Sequence, residues 1–376
     1  MHFEPYPFEK LTELLKDITP NSDYPAVSLT IGEPQFETPD FIQEAFKKNS
    51  ALLNKYPKSS GEAYVNDAQR NFVKKRFGVA LKSSELLCTF GTREVLFNFP
   101  QYLLHDKPNP VMAYTNPFYQ IYEGAAIASR ARTVHLNLTK ENSFKPDINL
   151  PALKEADLII LNFPNNPTTS VLSLEELGEW VKFALKYDIV LLNDECYSEI
   201  YVGEKPPSLL EASVHVGNES FKNVLVINSI SKRSSAPGLR SGFIAGDEKI
   251  LSGYMKYRTY IGAGIPLPLQ MASAVAWNDM EHVELTRAQY AKNLRLAHEI
   301  LGVQEIDATF YVWLEVEDDL EFTRKLYAEK NIKVLPGRFL GRGGMGENYV
   351  RIALVENSVK TEAILKEIKD FIKGLN

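Results

Sequence analysis

Val224-Leu-Val-Ile-Asn-Ser-Ile-Ser-Lys232-Arg-Ser-Ser-Ala-Pro-Gly-Leu-Arg240-Ser-Gly-Phe-Ile-Ala-Gly-Asp247 is the stretch on which the fold turns. It opens on a short apolar run rich in β-branched residues, as expected of a strand buried on both faces. It then breaks on a Pro-Gly pair and returns to a second apolar run, Gly242–Ala245. Between the runs stand hydroxyls, a lysine and an arginine. In open α/β sheets, ligands gather beyond the carboxyl ends of the strands, which is where Ser229, Ser231 and Lys232 fall.

Working outward, runs of the same kind recur at Pro110–Tyr114, Thr133–Leu138, Asp157–Phe163 and Ile189–Asp194. Helical stretches lie between several of them. Ser173–Tyr187 begins with Ser-Leu-Glu-Glu, a capping pattern that marks a helix start. The alternation predicts an α/β fold, with a mostly parallel central sheet wrapped by helices, over residues 40–285. Ile261–Gln270 is rich in Gly and Pro and breaks the pattern. A long helix is expected at Leu269–Ile300. Strands at Thr309–Val316 and Tyr349–Val355 and helices at Leu320–Lys330 and Thr361–Leu375 then read as a smaller α+β domain, residues 286–376. An N-terminal arm, residues 1–39 with a helix at Phe8–Ile18, is expected to join it.

Composition narrows the function. Of the 376 residues 44% are hydrophobic and 24% charged, so a large core forms without staples. The net charge of −6 lacks the basic footprint of a nucleic-acid binder. Cys88 and Cys196 stand far from any Cys-x-x-Cys spacing and read as buried reduced thiols, and no metal site is expected. The N-terminus has acids and prolines where a signal peptide needs a basic start and an apolar run. No apolar run approaches the ~20 residues that span a bilayer, and the expectation is a cytoplasmic protein.

Position alone does not separate Lys232 from an ordinary lysine opening a loop. Its neighbours tip the balance. A lysine to condense with an aldehyde, nearby hydroxyls and an arginine to hold a phosphate are what a pyridoxal-phosphate (PLP) pocket requires. Asp194 closes the run Ile-Val-Leu-Leu-Asn, and a carboxylate there could keep a pyridine nitrogen protonated. Read alone, it is an ordinary turn residue. Asn162 and Asn166 follow the run before it. Phe90-Gly-Thr-Arg-Glu leads into a helix, whose free N–H groups suit an anion. Gly341-Arg-Gly-Gly-Met-Gly346 matches G-x-G-x-x-G literally. A strand follows it instead of a helix, so the dinucleotide reading fails and a flexible loop is expected.

In this order, Ile31-Gly-Glu-Pro34, Tyr56-Pro with Gly61, Gly91-Thr-Arg93, Asn165-Asn-Pro-Thr168, Asp194-Glu-Cys-Tyr197, Ser229-Ile-Ser-Lys232, Arg240 and Arg351 resemble the fold-type I, class I/II PLP-dependent aminotransferases. The resemblance covers nearly the whole chain. The strings from Gly91 to Phe99, Asn116 to Ala126, Ser231 to Asp247, Tyr257 to Gly264 and Asn348 to Asn357 are similar to the N-succinyl-diaminopimelate aminotransferases. One departure stands out: Thr169 occupies the place of the glycine that normally ends Asn-Pro-Thr-Gly.

The resemblance implies roles. Lys232 is the Schiff-base lysine and proton shuttle, Asp194 the pyridine-nitrogen partner, and Tyr197 and Asn166 the pair at the ring hydroxyl. Tyr119 stacks on the ring. Ser229, Arg240 and the backbone of Gly91, Thr92 and Arg93 form the phosphate cup. Tyr56 reaches the phosphate of a second subunit, which implies a homodimer. Arg351 binds the substrate α-carboxylate and Gly32 closes over it. Glutamate and 2-oxoglutarate are the implied donor pair. Arg93, Arg233, Arg338 and Arg342 are the candidates for a distal carboxylate. Other readings are a broad aspartate or aromatic aminotransferase, a PLP-dependent β-lyase, and a non-catalytic PLP-fold binding protein or regulator. With about thirty residues before Gly32, an added DNA-binding domain is not expected.

Overall fold

The computed structural model describes residues 2–375. Its strands are β1 (Val27–Ser28), β2 (Leu86–Thr89), β3 (Val111–Asn116), β4 (Arg132–Asn137), β5 (Leu158–Leu161), β6 (Val190–Asp194), β7 (Val224–Ser229), β8 (Gly242–Gly246), β9 (Tyr311–Glu315), β10 (Ile332–Lys333), β11 (Leu335–Pro336) and β12 (Tyr349–Ala353). Seven form one sheet in the order β2-β8-β7-β6-β5-β3-β4. All neighbours are parallel except at β8, which runs antiparallel to β2 and β7. Every residue of β3, β5, β6, β7 and β8 is buried, because helices cover both faces. Phe72, Trp180 and Trp277 pack on one face. Phe99, Tyr122 and Tyr254 pack on the other.

The second sheet, β11-β12-β9, is antiparallel and has its own core around Leu326, Ile352 and Ile368. The N-terminal arm packs beside it through a separate two-stranded parallel sheet, β1 with β10, Val27 opposite Ile332, and the Leu29 carbonyl accepts the Ala353 N–H at 2.8 Å. We propose the division into 40–285 and 1–39 with 286–376 on these two sheets. Residue 285 lies inside the helix Glu281–Leu301, so one helix belongs to both units. Its start reaches Ser234 beside β7, while Leu294 and Ala297 lie in the core of the second sheet.

The capping pattern at Ser173 forms as expected: its hydroxyl accepts the Glu176 N–H and the Glu176 carboxylate accepts the Ser173 N–H. The structure departs from expectation at several points, including the short strands β1, β10 and β11. β2 is an unforeseen strand, since Leu86-Leu-Cys-Thr is too short and too poor in β-branched residues to announce itself. The long helix is two helices, Leu267–Asn278 and Glu281–Leu301, with Asp279 extended between them. No Gly or Pro marks that break. The glycine loop 341–346 is tied down at Asn116, whose side chain accepts the Arg342 N–H at 2.9 Å and donates to the Arg342 carbonyl at 3.0 Å. Among the described residues no helix is long and apolar enough to cross a membrane.

Candidate active site

Strands β5, β6 and β7 end side by side, and their carboxyl ends open on a cleft of ≈ 800 Å³. The second sheet and residues 6–8 of the N-terminal arm close its other side. Lys232 stands on the one-turn helix Ile230–Arg233, directly after β7. The Ser229 hydroxyl caps that turn by accepting the Ser231 N–H at 3.1 Å. The Lys232 side chain is half-buried at the cleft, and its ammonium donates to the Gly32 carbonyl. Burial pushes its pKa down to about 8; Arg351 and Arg240 act in the same direction, and Cys196 and Glu33 oppose them. Much of this amine is therefore neutral near pH 8, the form that attacks a carbonyl or takes a proton.

Asp194 ends β6 and is buried. Its carboxylate accepts the Tyr122 hydroxyl at 3.1 Å and the Cys196 N–H at 3.2 Å. Burial raises its pKa; the Cys196 and Tyr122 hydrogen bonds and the Lys232 charge work against that. A carboxyl so placed favours a cationic partner. Asn162 directly follows the neighbouring strand β5, donates to the Asp194 carbonyl at 3.0 Å and accepts the Asn166 N–H at 3.0 Å. It thereby fixes the spacing of Asp194 and Asn166. Thr169 takes φ +69°, the left-handed conformation that glycine adopts freely. The departure from Gly leaves the turn geometry intact at some backbone strain.

Arg240, Ser229 and the start of the helix Thr92–Leu104 line the same cleft, a set of donors that suits an anion. The first N–H groups of that helix have no intrahelical partner. The Gly91 N–H is spent on the Thr89 carbonyl at 2.8 Å, so the backbone cup expected at 91–93 narrows to Thr92 and Arg93. Gly91 serves by its lack of a side chain. At φ +71°, a Cβ there would lie 2.3 Å from the Arg240 guanidinium. Gly91→Ala should therefore displace Arg240 and weaken PLP binding by about 10-fold or more, the worth of one charged hydrogen bond. Titration of the cofactor-free variant with PLP measures this, and an unchanged Kd would refute the cradle.

Arg351 projects from β12 and is buried. It donates to the Asn166 side-chain oxygen at 2.8 Å and to the Thr30 carbonyl at 2.6 Å, and it stacks 4.4 Å over the Tyr311 ring. Its buried Nε has no partner among the described residues, a donor available to an anion. Tyr197 shares a 2.9 Å hydrogen bond with Tyr311. At Gly32 a Cβ would collide with the Tyr311 hydroxyl, so the arm can approach Lys232 only as glycine. Tyr119 lines the cleft, and its hydroxyl accepts from Arg93 at 2.8 Å. Ser231 lines the cleft as its place after the strand implied, whereas Tyr122 and Tyr311 were not anticipated. Their places depend on contacts between distant segments, and no motif signals them.

Of the remaining candidates, Tyr56 is fully exposed and lies outside the cleft, so its expected role requires a second subunit. Three of the four distal-carboxylate arginines are corrected. Arg233 is fully buried between the rings of Phe72 and Trp277. Arg338 is paired with Asp318 and Asp319, and Arg342 with Glu123. Of the four, Arg93 lines the cleft.

A low-pKa lysine, a buried carboxyl and an arginine beside a helix start fit PLP at its aldehyde, its ring nitrogen and its phosphate. Residues 24–368 match the family model for aminotransferase class I and II. The chain belongs to that family and is a PLP-dependent enzyme of fold type I. It is 53% identical to the aminotransferase AspB of Helicobacter pylori 26695, with a TM-score of 0.97, covering 99% of this chain and 100% of that one. An aminotransferase of Neisseria meningitidis Z2491 is 38% identical, with a TM-score of 0.93 and 98% of each chain covered. The LL-diaminopimelate aminotransferase of Aquifex aeolicus is 33% identical over 93% of this chain and 91% of its own length.

Proposed function

We propose that this aminotransferase exchanges an amino group between N-succinyl-LL-2,6-diaminopimelate and the glutamate/2-oxoglutarate pair, in the supply of diaminopimelate and lysine. The observation that carries this reading is the charge left over in the cleft. Arg93 lines it and has no carboxylate partner among the described residues. Two acids line it: Glu94 is taken by Arg258, and Asp194 is held at the floor. A distal carboxylate finds a cation there, whereas a distal ammonium finds no free acid. The second reading, LL-diaminopimelate itself, is favoured by the name of the Aquifex aeolicus relative.

Bound PLP supplies an aldehyde that accepts the amino group and a ring that withdraws the electron pair left at the substrate Cα. In the proposed mechanism Arg351 clamps the α-carboxylate of each substrate in turn, with Asn166 holding its fork. Lys232, kept available as the neutral amine by burial, takes the proton from Cα and returns one to Cα in the opposite half-reaction. Asp194 keeps the ring nitrogen protonated. Arg351 ties β12 to Asn166, in the turn that follows β5, so a substrate held between them draws the second sheet toward the large one and excludes water.

A substrate panel tests the assignment. With 2-oxoglutarate as acceptor, kcat/KM should be highest for N-succinyl-LL-2,6-diaminopimelate, ahead of LL-diaminopimelate, aspartate and tyrosine. Arg93→Ala should cut that value by about 10- to 100-fold, as expected for one charged hydrogen bond, and change the value for tyrosine, which has no distal carboxylate, by less than about threefold. A preference for aspartate or LL-diaminopimelate by orders of magnitude would sink the succinyl assignment.

A further inference from the structure

Behind the Lys232 turn lies a chain of polar groups that the proposed chemistry does not use. The Ser234 hydroxyl is buried and lies 2.9 Å from Nε2 of His282. Nδ1 of His282 contacts the Asp279 carboxylate, which also accepts the His282 N–H at 3.1 Å. A carboxylate only accepts, so Nδ1 carries the proton and Nε2 accepts from the Ser234 hydroxyl. Burial lowers the His282 pKa even though Asp279 raises it, which holds the ring in this neutral form. Serine, histidine and aspartate are the residues of a hydrolase triad. Ser234 has no exposure, however, and does not line the cleft, so it meets no substrate.

Arg233 makes a second tie to the same corner. Its guanidinium lies 4.6 Å from the Phe72 ring and 4.9 Å from the Trp277 ring, and it donates to the Asp279 carbonyl at 3.0 Å. Its Nε and one terminal nitrogen have no partner among the described residues, an arrangement that costs stability. Both residues that follow Lys232 are thus anchored where the two long helices meet. The turn that carries Lys232 has four residues and cannot hold its own geometry. On the next residue, Ser235, the carbonyl accepts the Thr38 hydroxyl, from the arm segment that follows Gly32.

We propose that His282, acting through Ser234, is a positioning residue that aims Lys232 into the cleft. The proposal rests on reading Lys232 as the cofactor lysine. It predicts that loss of the chain lets the amine relax toward water, away from the site shared with Arg351, Arg240, Cys196 and Glu33. His282→Phe keeps the ring and its edge contact with Phe41, at 5.4 Å between centroids, and removes both hydrogen bonds.

In cofactor-free protein, acetylation of Lys232 by acetic anhydride, followed across pH by mass spectrometry, reports the state of the amine. The wild-type midpoint should lie at about 8. In His282→Phe it should rise by about one unit or more toward the ordinary value near 10.4. With PLP bound, kcat should fall about 10- to 100-fold, as for a reacting group misplaced by an ångström, with KM within about threefold. An unmoved midpoint in the folded variant overturns the proposal, whatever kcat does. Should His282→Phe not fold, Ser234→Ala makes the same test with the loss of one hydroxyl. Borohydride reduction of the PLP-loaded protein and peptide mapping distinguishes the two failures: a label on another lysine would sink the Lys232 reading itself.

Discussion

Lys232→Ala should lower kcat for transamination by at least about a thousandfold, within the range general acid–base groups supply. It should also remove the visible absorbance that PLP acquires on joining a lysine. The expectation follows from uniqueness and state. Lys232 is the one lysine lining the cleft among the described residues. Burial brings its pKa to about 8, so the neutral amine is available at physiological pH. The same shift makes a stability prediction. The folded state holds the Lys232 proton up to about pH 8 and the unfolded chain up to about 10.4. Below both values the buried charge is a constant cost, and it is relieved as pH rises through this window. At pH 7, cofactor-free Lys232→Ala should therefore melt no lower than wild type. A variant with near-normal turnover would end the assignment. One that lost turnover only because its Tm had collapsed would leave the chemical role without support.

The parts of the site that share a short segment were legible. Lys232, Ser229 and Arg240 lie within one stretch, and the strand before them announces its own carboxyl end. Asp194 and Asn166 follow from the same rule, since β5, β6 and β7 are consecutive neighbours in the sheet. Contacts between distant segments were not legible. Arg233 read as a possible cation for substrate. Phe72 and Trp277, far away in sequence, turn it into a buried wedge. Arg338 and Arg342 read the same way, but the fold sets Asp318 and Asp319 beside the first and Glu123 beside the second. A charge pattern names the residue, and only the fold names its partner. The break at Asp279 was hidden for a related reason. The apolar periodicity continues across it, and Asp279, where the first helix stops, is held by contacts from Arg233 and His282 that no local pattern signals.

Asp194 is where that lesson bears on chemistry, because its surroundings set its charge. Asp194→Ala should retain measurable PLP binding and lose about 10²- to 10³-fold in kcat, the usual effect of deleting one preorganised electrostatic group. The phosphate end, with Arg240 and the Thr92 helix start, is untouched by the change, which is why binding persists. The ring nitrogen loses its proton partner, so the electron pair left at Cα is held less well and the barrier rises. Asp194→Asn separates charge from packing. The amide oxygen can still accept from Tyr122 or Cys196, and the side chain fills the same space. If charge is what matters, Asn should fall nearly as far as Ala, with KM for both substrates within about threefold, because the change leaves Arg351, the proposed carboxylate clamp, in place. A kcat for Asp194→Asn within about threefold of wild type would reassign Asp194 to a structural role, that of capping the Tyr122 hydroxyl at the floor of the cleft.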